Sequence, residues 1–224
     1  MPELSHSVIA VDGTAASGKS TFSRRLAERL GYVYVNTGAM YRGVTWFLLH
    51  RGVDLADAAR VADTVEAAGV ITSLAERELV FRIGDEDPLP HMREAIVNEG
   101  VSLVAQVPEV RRLLVAEQQK LAALAPLVME GRDIGSVVFP GTPYKFFLDA
   151  SPDVRIKRRS AQGEVDVIQQ RDVLDSQRKT SPLVRLEDAC YIDSSALTID
   201  DMVDHALQHL ASCGLSAVPR SLPS

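Results

Sequence analysis

The sequence predicts an α/β fold, a parallel sheet with helices on both faces, and three observations carry that prediction. Short apolar runs such as "HSVIAVDG", "PLVME" and "YKFFLD" lack polar alternation, as strands buried on both faces do. Between them lie segments with apolar residues at helical spacing, such as Phe22, Leu26 and Leu30. A glycine-rich turn joins the first strand to the first helix, and strands alternating with helices indicate a parallel sheet. With 224 residues and 46% apolar side chains, the chain can bury a substantial core, as one large domain or as one domain carrying inserted lobes.

In chain order, "HSVIAVDG" is a strand and "KSTFSRRLAERL" a helix. "GYVYVN" is a second strand. "TGAMYRGVTWFLLHRG" reads as a helix entered at Thr37, which is placed to cap it, and stopped at Gly52. A polar, alanine-rich helix follows over residues 55–68, and "VITSL" and "ELVFRI" around "AERE" form a small hairpin. "HMREAIVNEGVSLVAQV" is helical up to a break at Pro108, with a further helix over residues 109–124. "PLVME" and "YKFFLD" are strands flanking "GRDIGSVVFPGTP". "SPDVRIKRRSAQ" opens a helix with Ser151 at the cap, Pro152 at the first position and Asp153 in the first turn. In "QQRDVLDSQR", residues 169–178, a helix would put Arg171, Asp175 and Arg178 on one face, a spacing that surface ion pairs commonly share. "CYIDSS" is the last strand and "IDDMVDHALQHL" an amphipathic closing helix. The middle, near residues 53–107, interrupts the strand–helix rhythm and reads as an insertion.

Composition narrows the function. No apolar run approaches a membrane span, and "MPELSHSVIAVDG" has no basic region leading into an apolar one, so neither a membrane partner nor export is expected and the protein reads as cytoplasmic. Net charge −6 argues against a nucleic-acid partner. Arginine supplies 19 of the 24 cations, and its planar fork suits phosphate, although high genomic GC content enriches it too. Cys190 and Cys213 read as reduced thiols. His205 and His209, four apart, make a possible metal pair with no third ligand nearby in sequence, so a helix surface is the simpler reading. No exposed apolar stripe suggests more than a monomer.

The strongest motif is "GTAASGKS", which fits the phosphate-loop pattern G-x-x-x-x-G-K-[ST] between a strand and a helix. Gly13, Thr14, Ala15, Ala16, Ser17, Gly18, Lys19 and Ser20, with Thr21 following, form the expected ATP site. Backbone amides and a helix N-terminus face the phosphates, Lys19 bridges the β- and γ-phosphates, and the Ser20 hydroxyl ligates Mg²⁺ as the metal residue. No Asn-Lys-x-Asp box is present, which disfavours a GTPase, and the chain is short for a motor. Two further motifs suggest an acceptor site. "TGAMYR" sets Arg42 one turn into a helix that follows a strand, and "EGRDIG" brings Glu130, Arg132 and Asp133 out at a strand end, where open parallel sheets bind ligands.

Together the phosphate loop, "TGAMYR", "EGRDIGSVVFP", "RDVLDSQR" with the following "SPL", and "IDSS" resemble the bacterial cytidylate kinases, in order and spacing, over roughly residues 7–210. The resemblance implies the nucleoside monophosphate kinase fold: a P-loop parallel sheet with an inserted monophosphate-binding lobe and a short lid. The core would comprise residues 1–37, 108–150 and 171–224, the insertion about 38–107 and the lid about 151–170. It implies transfer of a phosphoryl group from ATP to CMP, with dCMP as a second acceptor. Arg42 and Arg132 would hold the CMP phosphate, and Thr37 and Asp133 would face the cytosine amino group. Arg111 and Arg178 would line the ring's acceptor edge, and Ser102, Arg171 and Asp175 the pentose hydroxyls. Lys19, Arg132 and lid arginines would spread charge on the transferring group. Of Arg155, Arg158 and Arg159, the pair Arg155 and Arg159 share a helix face.

Three departures from the family pattern stand out: Thr37 in place of serine, Glu130 in place of aspartate, and a lid in which only "SAQGEVDVIQQ" separates Arg159 from Arg171. Two other readings stay open, a P-loop kinase for another small acceptor and an ATP-sensing module without catalysis.

Overall fold

The computed structural model describes residues 6–76, 78–92, 94–161 and 183–215. These fall into two compact units, one within Met1–Val35 and Ala125–Ser224 and the other within Asn36–Leu124. Among the described residues no helix is long and apolar enough to cross a membrane.

The first unit is built on the sheet. Strands β1 (Val8–Gly13), β2 (Val33–Asn36), β5 (Leu127–Glu130), β6 (Lys145–Asp149) and β7 (Cys190–Asp193) lie in the order β2-β5-β1-β6-β7. The β1–β5, β1–β6 and β6–β7 pairs are parallel, with Val8 opposite Leu127, Ala10 opposite Lys145 and Phe146 opposite Cys190. All six residues of β1 are buried, so both faces of the strand are covered, which explains its run of apolar residues without alternation. One face packs beneath α1 (Lys19–Leu30) and the last helix, numbered α7 (Ile199–Ser212). There Ile9, Val11, Phe22, Leu26, Phe146, Ile192, Met202 and Ala206 form a continuous core. Phe22 meets Phe146 edge to face at 6.0 Å. Gly31 ends α1 with φ 66°, and Thr198 opens α7 through a reciprocal capping box with Asp201. Helix α6 (Pro152–Ala161) begins at the predicted proline and buries none of its residues fully.

The second unit contains α2 (Thr37–His50), α3 (Ala58–Ala68), the antiparallel hairpin β3 (Val70–Ala75) and β4 (Glu78–Ile83), α4 (Ala95–Val104) and α5 (Pro108–Leu121). Met40, Val44, Phe47, Val61, Val65, Phe81, Ile83 and Leu114 make its core. Gly43 is required for that packing, since a Cβ there would lie 2.6 Å from the Phe81 ring. The hairpin is tied to α5 by Glu117, whose Oε2 accepts from the Thr72 amide at 3.1 Å and hydroxyl at 2.9 Å.

Several boundaries differ from expectation. The alanine-rich helix begins at Ala58 rather than residue 55, because the Asp57 side chain accepts from Arg60 N at 3.0 Å and caps it there. Helix α4 is shorter than predicted, since a 3₁₀ turn over Leu89–His91 precedes it. Pro108 does not break a helix but starts α5 at the position where a missing N–H costs nothing, and α5 ends at Leu121. The predicted helix over residues 169–178 lies outside the described residues.

Candidate active site

The phosphate loop turns off the end of β1. Gly13 has φ 147°, and a Cβ on it would sit 1.9 Å from the Leu148 carbonyl oxygen, so no other residue fits. Ala16 and Gly18 both take the left-handed conformation, at φ 59° and 88°. Thr14 anchors the loop to β6, its amide donating to Leu148 O at 3.2 Å and its hydroxyl to Asp149 Oδ1 at 2.7 Å. Ser17 Oγ donates to Thr14 O at 3.0 Å. The buried Lys19 reaches back over the loop, its Nζ donating to Thr14 O at 2.5 Å. Ser20 and Thr21 are exposed in the first turn of α1.

The far side of the loop is held by Ser194 and by arginines of α6, in contacts that the sequence did not indicate. Ser194, fully buried just beyond β7, donates its hydroxyl to Ser17 O at 2.8 Å and its amide to Asp149 O at 2.8 Å. Arg158 grips Ser194 with both guanidinium nitrogens, Nη1 to Oγ at 2.9 Å and Nη2 to the carbonyl at 2.7 Å. Its Nη1 also lies 3.5 Å from Ala16 O, and Arg155 Nη1 lies 3.4 Å from Ala15 O. Of the three arginines on α6, Arg158 is thus built into the support of the phosphate loop. Arg159 is half-buried on the same helix. "IDSS" did flag Ser194, but nothing local in sequence indicates its partners.

"EGRDIG" follows β5. Glu130 is 4% exposed and accepts from the Tyr34 hydroxyl at 2.5 Å, while the Arg24 guanidinium lies 4.6 Å above the Tyr34 ring. Arg132 Nη1 donates to Gly13 O at 2.9 Å, which joins this loop to the phosphate loop. Asp133 is buried, and its carbonyl accepts from Val137 N at 2.9 Å and Val138 N at 3.2 Å, opening a wide π turn over Ile134–Val138 that the sequence did not indicate. Asp12, the penultimate residue of β1, accepts from Ile134 N at 2.8 Å and Gly135 N at 2.7 Å. Burial pushes its carboxyl up to about 6, against the lowering effect of the Gly135 and Ile134 amides; Asp133 adds a further rise and Lys19 a further lowering.

In the second unit, Thr37 is buried as the first residue of α2 and is not its cap, correcting the expectation. Asn36 takes that role, its Oδ1 accepting from Ala39 N at 3.0 Å, because the asparagine precedes the helix with extended backbone while Thr37 is already helical. Arg42 is half-buried one turn in, close enough to Gly38 that a Cβ there would stand 3.3 Å from Arg42 Nη1. Arg111 is 4% exposed, its Nη1 donating to Ala105 O at 3.2 Å and its guanidinium 5.7 Å from the Tyr41 ring centre. Ser102 is half-buried on α4. Arg171, Asp175 and Arg178 lie outside the described residues.

Among the described residues, no group of three or more His, Cys, Asp or Glu side chains is arranged to hold a metal ion. The His205 and His209 rings instead neighbour thiols, Nε2 lying 3.6 Å from Cys190 Sγ and Cys213 Sγ respectively. An oxygen donor of the kind that Mg²⁺ carried with a nucleotide takes is present in the Ser20 hydroxyl, exposed in the first turn of α1.

The first unit therefore sets a phosphate loop, a buried lysine and an arginine–aspartate loop at the carboxyl ends of adjacent parallel strands. Comparison with known proteins agrees. The family model described as cytidylate kinase matches residues 9–212. A cytidylate kinase of Nocardia farcinica is 43% identical over 216 residues, spanning 91% of this chain and 93% of that protein. One from Caldanaerobacter subterraneus is 41% identical, spanning 89% and 92%, and one from Solibacter usitatus 38%, spanning 92% of each. With the phosphate loop in its strand-to-helix setting and the match running through nearly the whole chain, this protein belongs to the cytidylate kinase family.

Proposed function

We propose that this chain transfers the γ-phosphoryl group of ATP to CMP, giving ADP and CDP, with dCMP as a second acceptor and Mg²⁺ accompanying ATP. The observation that carries the reading is the 2.9 Å bond from Arg132 to the Gly13 carbonyl. It stands the cation assigned to the acceptor phosphate directly against the loop assigned to the donor phosphates.

The acceptor phosphate is already ionised near neutral pH, so no general base is needed. Positioning and neutralisation of charge supply most of the acceleration. Lys19 is held over the loop and exchanges its carbonyl partner for β- and γ-phosphate oxygens. Arg132, with Arg155 and Arg159 from the lid at about residues 151–170, spreads charge on the transferring group. Ser20 would hold the Mg²⁺ that accompanies ATP, with Glu130 able to act on its water, and the ion would supply charge neutralisation at the phosphates. On the acceptor side Arg42 joins Arg132 at the phosphate, and Ser102, Arg171 and Asp175 take the pentose hydroxyls. Thr37 and Asp133 read the cytosine amino group, with Arg111 and Arg178 at the ring's acceptor edge. A carboxylate accepts from the cytosine amine but opposes the uracil carbonyl, lone pair against lone pair, which makes Asp133 the selecting residue.

The test is a coupled assay with ATP and Mg²⁺ across CMP, dCMP, UMP and AMP. CDP formation with CMP and dCMP far ahead of UMP and AMP is expected. Absence of CDP points to a nucleotide sensor, and preference for another acceptor to a different kinase; either outcome overturns the reading.

A further inference from the structure

Three consecutive residues at the end of β1 hold the loop that follows β5. Val11 O accepts from Gly131 N at 3.0 Å, the Asp12 carboxylate accepts from Ile134 N and Gly135 N at 2.8 and 2.7 Å, and Gly13 O accepts from Arg132 Nη1 at 2.9 Å. Of the three, only Asp12 acts through its side chain. An apolar residue would serve the buried strand better, since at 6% exposure an acid there bears a desolvation cost. The carboxylate is instead matched to the start of the π turn. A wide turn leaves its first amides without partners inside it, and Asp12 supplies one oxygen to each. Gly135 completes the fit, because a Cβ there would stand 3.3 Å from Asp12 Oδ2 and 3.2 Å from Lys145 Cδ.

We infer that Asp12 is a positioning residue for phosphoryl transfer: by clamping the amides of Ile134 and Gly135 it fixes the direction in which Arg132 and Asp133 address the acceptor nucleotide. The inference rests on the reading that Arg132 and Asp133 contact CMP. Asp133 is bounded on its far side by the clamped amides, while its carbonyl is committed to Val137 and Val138. Its backbone therefore has no freedom to re-aim the side chain unless Asp12 lets go. Arg132 is tied to the residue next to Asp12, so a shift of the clamp moves the phosphate-binding cation and the base-reading carboxylate together.

Asp12→Asn tests this. Asparagine matches aspartate in size and keeps one acceptor oxygen, but turns an N–H₂ toward one of the two amides. We expect kcat/KM for CMP to fall about 10- to 100-fold, the scale of an ångström-level misplacement, and CMP-over-UMP preference to narrow, while the KM for ATP stays within about threefold. A purely structural residue would lower the melting temperature and leave the preference where it was. Unchanged preference, or a loss falling equally on ATP and CMP, overturns the inference. Should Asp12→Asn not fold, Gly135→Ala decides, since its Cβ presses on the same carboxylate, and the same loss of preference is expected in milder form. Arg132→Ala and Asp133→Ala, measured alongside, separate the two levels. If they leave CMP kinetics intact, the acceptor assignment itself fails; if they damage them and the Asp12 and Gly135 variants do not, only the positioning role fails.

Discussion

Replacing Asp12 with asparagine should change how stability responds to pH, and the size of the change follows from the site. Burial lifts the Asp12 carboxyl from 3.8 to about 6, the amides of Gly135 and Ile134 only partly offsetting it. The native state thus holds this proton more tightly than the unfolded chain does. The stability it contributes is complete below pH 3.8, is lost as pH rises through the window up to about 6, and stays lost above it. A rise of about two pKa units corresponds to about 3 kcal/mol. Asparagine has no such proton. Measured against wild type, Asp12→Asn should therefore gain about 3 kcal/mol between pH 3.5 and 7, whatever its offset at low pH. Urea denaturation of both proteins, followed by far-UV circular dichroism at half-unit pH steps, reads the difference, and groups common to the two cancel. A difference that stays flat within about 0.5 kcal/mol across the range would refute the raised carboxyl. The sign is the informative part: the enzyme keeps an ionised acid at neutral pH at a cost to its own stability, as functional sites often do.

Other perturbations have equally definite outcomes. Gly13→Ala forces a Cβ to within 1.9 Å of Leu148 O and should destabilise the fold by about 2–4 kcal/mol while abolishing ATP binding; wild-type melting and ATP titration would contradict the geometry. Arg158→Ala removes two bonds to Ser194 and should raise the KM for ATP about tenfold with little change for CMP, and Arg158→Lys should not rescue it because lysine lacks the two-pronged grip; a change on the CMP side instead would make Arg158 an acceptor residue. Thr198→Ala deletes the capping box of α7 and should cost about 1 kcal/mol, lowering Tm by about 2–4 °C without altering kinetics.

How much of this was legible in the sequence depends on whether the cause was local. The phosphate loop was, because its glycines, lysine and serine form a fixed pattern within eight residues, even though the close approach that Gly13 serves is to Leu148 on β6. The central strands β1, β5 and β6 were, because burial on both faces leaves an unbroken apolar run, as in "VIAV". The β3–β4 hairpin showed its alternation through Val80 to Ile83. Asp12 was not legible: at the end of an apolar strand it looks like an ordinary exit residue, and its amide partners stand more than 120 residues away. Arg158 failed for the same reason, since a basic helix end accounts for it fully until Ser194 is seen beside it. Thr37 and Asn36 were confused because both residue types cap helices, and only the backbone decides which of two neighbours is the last extended one. The π turn has no signature in composition at all, and the acceptor of its two leading amides, which no helical turn pairs internally, is Asp12 on another strand.

Ser194 carries a consequence for how the enzyme comes into being. Its hydroxyl completes the phosphate loop by bonding Ser17, 177 residues earlier in the chain, and Thr14 leans on Asp149 across 135. A ribosome finishes the "GTAASGKS" segment early, yet the support that Ser194 gives its far side is missing until the last strand arrives and pairs with β6. Contacts of such sequence separation form late, because the chain must close its longest loops before they repay the entropy. Nucleotide binding is thus a property of the finished sheet rather than of the N-terminal segment that bears the motif. A chain truncated before β7 would keep every residue of the phosphate loop and lack the wall it rests on.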